Sequence, residues 1–297
     1  MYYLRSNTTL YIFKLIVYEG MGVGFIAFWI VNIALIIQNI FKIEAQTLGI
    51  LSLIIIFFLC ILSLIYGKLI FVKKIKVNTS KVDNDIKIIF LSDVHLGSNS
   101  KRHLSRLYSK IKTIKYDLLL IGGDLIDSSS FDLKDLKLLR EIKQPILFVS
   151  GNHEFYIKNH MVKLRDLKNY NINYLDDKNY IYKSINIIGV GDNHTLEKQI
   201  INTNKLINDK YFNLLLVHKP SVWEHVNTKI DLMLSGHTHY GQIFPFNIFV
   251  KIKFKYIYGL YKNIYSKLYV SSGSGCWGPS MRLGTKNEIV EIFITNN

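Results

Sequence analysis

Two aspartates, one asparagine and five of the nine histidines of this 297-residue chain fall in five short polar motifs. In order they are Asp93-Val94-His95, Gly123-Asp124, Gly151-Asn152-His153-Glu154, His218 and Gly236-His237-Thr238-His239. Carboxylate, amide and imidazole donors without a thiolate do not fit a structural zinc site. They suit two five- or six-coordinate divalent ions, manganese first, with iron or catalytic zinc as alternatives. In an extended segment residues i and i+2 point the same way. Asp93 and His95 are therefore expected to grip one ion together, and His237 and His239 likewise. Asp124, with two carboxylate oxygens, is the natural bridge between two ions. Asn152 adds a neutral oxygen and His218 an imidazole nitrogen. Two ions about 3.5–4 Å apart clamp a phosphoryl group, make a hydroxide available near neutral pH and neutralise phosphate charge.

Each motif follows an apolar run, which reads as a strand end. The runs are 87–91, 117–121, 145–149, 213–217 and 231–234. Leu104, Leu107, Ile111 and Ile114 recur at helical spacing within 102–114, and 131–142 is also helical in pattern. Strands alternating with helices predict a βαβ start with parallel strands. Further strands are expected at 185–190, 268–270 and 288–294. In open α/β sheets, sites form outside the carboxyl ends of strands. Five strand ends on one edge would bring all the motif side chains together.

The first 75 residues differ in kind. Residues 47–66 and 22–41 are each twenty residues without a charge. At about 1.5 Å per residue either spans a bilayer's hydrocarbon core. The short connector, 42–46, predicts a hairpin. Arg5 and Lys14 precede it and Lys68, Lys73, Lys74 and Lys76 follow it. Positive flanks place both outer ends, and the large domain, on the cytoplasmic side of a bacterial inner membrane. Residues 10–18 read as a separate interfacial helix. The expected division is an anchor at 1–77, a polar linker at 78–85 and a catalytic domain at 86–297.

Net charge is +15, of which 86–297 carry +11. A basic domain on an anchor suits anionic lipids or an anionic substrate. The same excess follows from a Lys-, Ile- and Asn-rich composition, so charge alone selects no partner. Two cysteines exclude a disulfide framework and point to a reducing compartment.

The five motifs, unbroken and in order, resemble those of the calcineurin-like metallophosphoesterases over about 86–297. The resemblance implies a four-layer α-β-β-α sandwich. It implies one ion held by Asp93, His95, Asp124 and His239, and a second by Asp124, Asn152, His218 and His237. His153 would contact the phosphate or protonate the leaving group. Gly241-Gln242-Ile243-Phe244-Pro245, Trp277-Gly278-Pro279 and Arg282-Leu283-Gly284 are similar to the membrane-anchored bacterial branch. That branch usually has glycine where this chain has Tyr240, which is expected to narrow the pocket. Its members include phosphodiesterases and enzymes resembling UDP-2,3-diacylglucosamine pyrophosphatases of lipid A synthesis.

The leading expectation is therefore a membrane-anchored two-metal phosphoesterase. A hydroxide between the ions attacks a phosphodiester or pyrophosphate, on a substrate that is lipid-linked. One alternative keeps the mechanism and changes the substrate to a nucleotide or nucleic acid; no aromatic-basic strip for single strands favours it. Another is a metal-binding membrane scaffold without activity, against which the ligand set is complete. Outside the ligand set, Asp127 reads as a helix cap and Glu154 as a cap or an orienting group. His103, His160 and His225 read as surface residues, and Asp192 and His194 as loop residues. Arg282 reads as a phosphate contact or a surface salt bridge. Trp277 and the tyrosines at 256–261 read as bilayer contacts or core.

Overall fold

Continuous apolar runs such as Leu118–Gly122 have no polar face, so they must be covered on both sides. The computed structural model, which describes residues 8–296, covers them with helices on one side and a second sheet on the other. Arg5, counted above among the flanking charges, lies outside the described residues.

Two helices come first, α1 (Thr8–Phe41) and α2 (Ala45–Lys68). The first half of the domain follows: β1 (Ile70–Asn78), β2 (Ile86–Leu91), α3 (Lys101–Ile111), β3 (Leu118–Gly122) and β4 (Ile146–Val149). Short helices α4 (Asn152–Phe155) and α5 (His160–Asp166) lead to β5 (Ile172–Tyr174), β6 (Lys178–Tyr182) and β7 (Ile185–Val190). Then come α6 (Leu196–Leu206), β8 (Phe212–Val217), α7 (Trp223–Val226), β9 (Leu232–Ser235) and α8 (Phe246–Lys253). The chain closes with β10 (Gly259–Lys262), β11 (Lys267–Val270) and β12 (Asn287–Thr295).

Among the described residues these strands form two six-stranded sheets, ordered β1-β12-β2-β3-β4-β5 and β10-β11-β9-β8-β7-β6. β2, β3, β4 and β5 pair in parallel, as do β7, β8, β9 and β11. Period-two alternation then sorts the side chains. Phe90, Leu120 and Leu147 face inward against Leu214, Leu216 and Leu234 of the other sheet. Ile89, Leu119 and Ile121 face outward onto Leu104 and Leu107 of α3. On the far side, Leu215, Val217 and Met233 pack on Val222, Trp223 and Val226. The result is the expected α-β-β-α sandwich. Each fully buried Leu or Ile contributes about 1.5–3 kcal/mol of apolar transfer energy.

Three expectations change. β1 pairs along its length with β12, so residues 70–77 belong to the sheet and not to the anchor. Lys73, Lys74 and Lys76 had hidden this strand; exposed lysines are how an edge strand avoids further pairing. Residues 133–141 form a 3-10 helix, because Leu133, Leu136 and Leu139 recur every third residue, as three residues per turn require. Finally, α1 runs unbroken through the stretch expected as a separate interfacial helix.

α1 and α2 are long and apolar enough to cross a membrane (Ile16–Phe41 and Ala45–Lys68), and most of their surface is exposed. They are tied to the two-sheet domain by polar bonds. Glu19 Oε1 accepts from Ser280 N at 2.9 Å. Ser63 O accepts from Arg282 N at 2.9 Å. Asn287 Nδ2 donates to Gly67 O at 2.8 Å, satisfying a carbonyl the helix end leaves open. Ile26 of α1 packs with Ile243 and Met281.

Candidate metal centre

The parallel strands of both sheets end on one edge, and the five motifs occupy the loops that leave it. Asp93 and His95 follow β2, Asp124 follows β3, and Asn152 and His153 open α4 after β4. His218 follows β8, and His237 and His239 follow β9. The loops are stitched by backbone bonds: Asp93 N to Gly123 O at 3.0 Å and His95 N to Asp124 O at 2.9 Å.

None of the paired ligands is extended. Asp93, His95, Asp124, His237 and His239 all have φ between +49° and +73°. The left-handed region costs a residue with a side chain roughly 1–2 kcal/mol, and such outliers gather at functional sites. Side chains at i and i+2 therefore need not point the same way here. His237 and His239 diverge: His239 shares one group of mutually close donor atoms with Asp93 and His95, and His237 shares another with Asp124 and His218. Asp93 and His95 stay together, as their spacing suggested, and His237 and His239 do not.

The centre is tight. His95 Nε2 and His239 Nε2 stand 2.9 Å apart. His239 Nε2 lies 3.5 Å from Asp93 Oδ1. Asp124 Oδ2 lies 3.1 Å from His218 Nε2 and 3.7 Å from His95 Nε2, between the two groups. His237 Nδ1 is 3.2 Å from His218 Nε2. The other Asp124 oxygen accepts from His153 N at 2.9 Å, which fixes the carboxylate's orientation. Asn152 Oδ1 is buried without a hydrogen-bond partner among the described residues. Converging imidazole nitrogens, two buried carboxylates and an orphaned amide oxygen form a donor set that fits two divalent cations.

Supporting groups set the tautomers. His218 Nδ1 donates to Gly122 O at 2.8 Å, which turns Nε2 toward Asp124. His95 Nδ1 lies 3.3 Å from Asp127 Oδ2, so its Nε2 also faces inward. Asp127 is held in turn by Ser98 N at 2.8 Å and Ser98 Oγ at 2.5 Å. It stands against the His95 ring and is not the cap expected from sequence, a place Asp132 takes for the helix that follows. Glu154 accepts from Asp124 N, Ile126 N and Gly151 N at 3.0, 2.9 and 2.7 Å, locking the β3 and β4 loops together.

Burial favours the neutral imidazole. It brings His153 down to about 4 and, with the His218 charge, His237 down to about 3. His239 falls well below the usual range through burial, His95 and the Arg282 guanidinium. These rings therefore keep lone pairs available. His218 goes the other way: burial opposes its charge, but Asp124 and Asp93 lift it to about 10. Burial likewise opposes Asp124, and His218, His153 and His95 still hold that carboxyl well below its ordinary value.

The profile of the calcineurin-like phosphoesterase family matches residues 86–241, from β2 to just past the second histidine pair. The chain belongs to that family. Among its relatives, a metallophosphoesterase of Campylobacter jejuni is 36% identical over 232 residues, covering 74% of this chain and 62% of the relative. A Bos taurus transmembrane protein with a metallophosphoesterase domain is 29% identical over 239 residues, covering 71% of this chain and 53% of the relative. The chain thus spans under two thirds of the length of these curated relatives. Of solved structures, it is similar to the 5'-nucleotidase precursor of Thermus thermophilus, with TM-score 0.43 and 12% identity over 70% of this chain and 55% of that one.

Around this centre some of the other expectations are corrected and some hold. His103 is buried, with Nε2 2.7 Å from Ser274 O, and it braces the loop after β11. Arg282 is fully buried and not at the surface. Its guanidinium donates to Ser272 O, Gly275 O and Asn287 Oδ1 at 2.6, 2.8 and 2.6 Å, holding the loop behind His239. Asp192 accepts from Lys219 Nζ, and His194 pairs with Asp177, as loop residues would. His225 is exposed and His160 half-buried. A chamber of about 250 Å³ opens over the centre, lined by Asp124, Asn152, His153, Tyr156, His237 and Trp277 among others. Sequence reasoning missed Tyr156, although the spacing of a helix turn places it beside Asn152 and His153.

Proposed function

We propose that this chain is a membrane-anchored, two-metal phosphoesterase that hydrolyses a phosphodiester or pyrophosphate. The observation carrying this reading is Asp124 Oδ2 between two close donor groups, 3.1 Å from His218 and 3.7 Å from His95. Asp93, His95, Asp124 and His239 would hold one ion, and Asp124, Asn152, His218 and His237 the other. Manganese, iron or zinc fits these donors. When bound, the ions supply Lewis acidity and a hydroxide at neutral pH. Asp93 and Asp124 fix the donor geometry and balance the ions' charge. Asp127 and the Gly122 carbonyl hold His95 and His218 with Nε2 inward. His153, uncharged in its buried setting, offers an N–H to the phosphate; the phosphate's charge raises its pKa, so that the ring takes up a proton from solvent and, as imidazolium, passes it to the departing oxygen. Trp277 and Tyr156 line the chamber with their rings against His153.

The substrate in this reading is lipid-linked, of the kind represented by UDP-2,3-diacylglucosamine. The domain faces the cytoplasm of a bacterial inner membrane, because Lys68 closes α2 and Lys73, Lys74 and Lys76 lie just beyond it. The test is purification of the full chain with manganese and assay on bis(p-nitrophenyl) phosphate. Activity should vanish with chelator and fall on the order of a thousandfold or more in Asp124→Ala. Hydrolysis that survives either treatment defeats the two-metal mechanism.

A further inference from the structure

Beside the metal centre lies a second cleft of about 320 Å³, and its materials are different. One wall is α1, through Met21, Gly22 and Phe25; the other is α8, through Phe246 and Val250. His237, His239 and Trp277 line both this cleft and the chamber over the metal centre, so the two adjoin. The volume is in the range of about 300–1,000 Å³ used for ligands of moderate size.

The polar side chains in the cleft are already engaged. Thr238 Oγ1 donates to Ile257 O at 2.6 Å. Gln242 Nε2 donates to Trp277 O and Pro279 O, both at 3.0 Å, and its Oε1 accepts from Trp277 N at 2.8 Å. The donor nitrogens of His237 and His239 turn toward the metal centre. What faces the cleft is apolar, so a polar ligand would lose its hydration there without replacement.

The location selects the occupant. α8 meets α1 inside the segment long enough to cross a bilayer: Phe246 on Phe25 with ring centroids 6.0 Å apart, and Phe249 on Trp29 at 6.1 Å. Phe246, Ile248, Phe249 and Ile252 of α8 are exposed, and Lys251 and Lys253 share the helix. An apolar helix side with lysines at its end suits the plane between headgroups and chains. The bonds from Glu19, Ser63 and Gly67 hold this geometry to the catalytic domain.

We propose that the cleft between α1 and α8 receives one alkyl chain of a bilayer amphiphile whose phosphoester enters the metal centre. This deepens the phosphoesterase reading and rests on it. The chain enters sideways from the bilayer, and the lysines of α8 face the anionic headgroups.

The test uses full-length protein in nanodiscs, with methyl and dodecyl p-nitrophenyl phosphate as probes. A dodecyl phosphonate with a terminal diazirine serves as a non-hydrolysable label. The wild type should prefer the dodecyl ester by at least about tenfold in kcat/KM, given the apolar area buried. Partition into the bilayer alone gives some preference, so the decisive comparison is with Val250→Trp, which fills the cleft in the same nanodisc. There the dodecyl-to-methyl ratio should fall about tenfold, and labelling of α1 and α8 peptides should drop with it. Met21→Trp, on the opposite wall, should act alike and guards against a folding defect in one variant. An unchanged ratio in both variants overturns the proposal, as does hydrolysis without labelling of either helix. Labelling of α1 and α8 without hydrolysis of either ester keeps the chain site and instead overturns the phosphoesterase reading.

Discussion

On one side of His237 and His239 lie buried carboxylates, imidazoles and an amide; on the other lies a cleft walled by Met21, Phe25, Phe246 and Val250. The polar side is positioned by hydrogen bonds and by backbone held at positive φ. On the apolar side, the α1 and α8 walls are positioned by helix packing, and Met21, Phe25, Phe246 and Val250 ask for no such strain. This contrast separates two jobs. Metal ligands must be fixed to within a few tenths of an ångström, which takes a network of supporting groups. A chain-binding cleft needs only shape and the absence of unpaired polar atoms. A break on the polar side should therefore abolish turnover of any phosphoester, and a break on the apolar side should alter only which ester is preferred.

The largest effect is expected from Gly236→Ala. A Cβ at Gly236 would overlap Ser92 Oγ and Asp93 Oδ2, both fully buried. Asp93 also accepts from His237 N at 3.1 Å, so displacing it disturbs two ligands at once. Metal content, measured by mass spectrometry of the purified protein, should fall from two ions toward one or none. Activity on methyl and dodecyl esters should fall together, by on the order of a thousandfold. Circular dichroism should keep its α/β shape. Loss of one ester's turnover alone would mean that the two sides are not separate.

Asp127→Asn should do less, and it tests whether Asp127 orients His95. The amide keeps the size and can still engage Ser98, but it withdraws the charge beside His95 Nδ1. Loss of such a partner typically costs about 10–100-fold in metal affinity or activity. A chelator-competition titration gives the affinity directly. A variant that loses thermal stability while retaining wild-type metal affinity would return Asp127 to the structural role expected from sequence.

The polar side was also the legible one. Asp93, His95, Asp124, Asn152, His218, His237 and His239 each stand a few residues beyond a buried strand, and strand ends are visible in apolar runs. The supporting groups were not legible, because their meaning is a contact. Asp127 reads as a cap until His95 is seen 3.3 Å away. Arg282 reads as a surface charge until its guanidinium is seen among carbonyls. β1 was hidden by the three lysines that make it a safe edge. The cleft was invisible for a different reason: its walls come from 21–25, 237–254 and 277–279, and only packing the hairpin onto the domain brings them together.

The smallest effect is expected at Tyr240, where the resemblance to the membrane-anchored branch suggested a narrowed pocket. Tyr240 has φ +53° and its ring stacks on Tyr258 at 4.6 Å between centroids. Among the described residues it lines neither the chamber nor the cleft. Tyr240→Gly relieves a left-handed residue of roughly 1–2 kcal/mol. It also removes an aromatic pair worth about 0.5–1.5 kcal/mol and adds about 0.5–1 kcal/mol of unfolded-chain freedom. These terms nearly cancel, so the midpoint of thermal unfolding should move by only a few degrees. The ratio of turnover on bulky and small esters should stay at its wild-type value. A variant that gained bulky substrates would put the tyrosine back at the pocket wall, and the stack on Tyr258 would then have to open in solution.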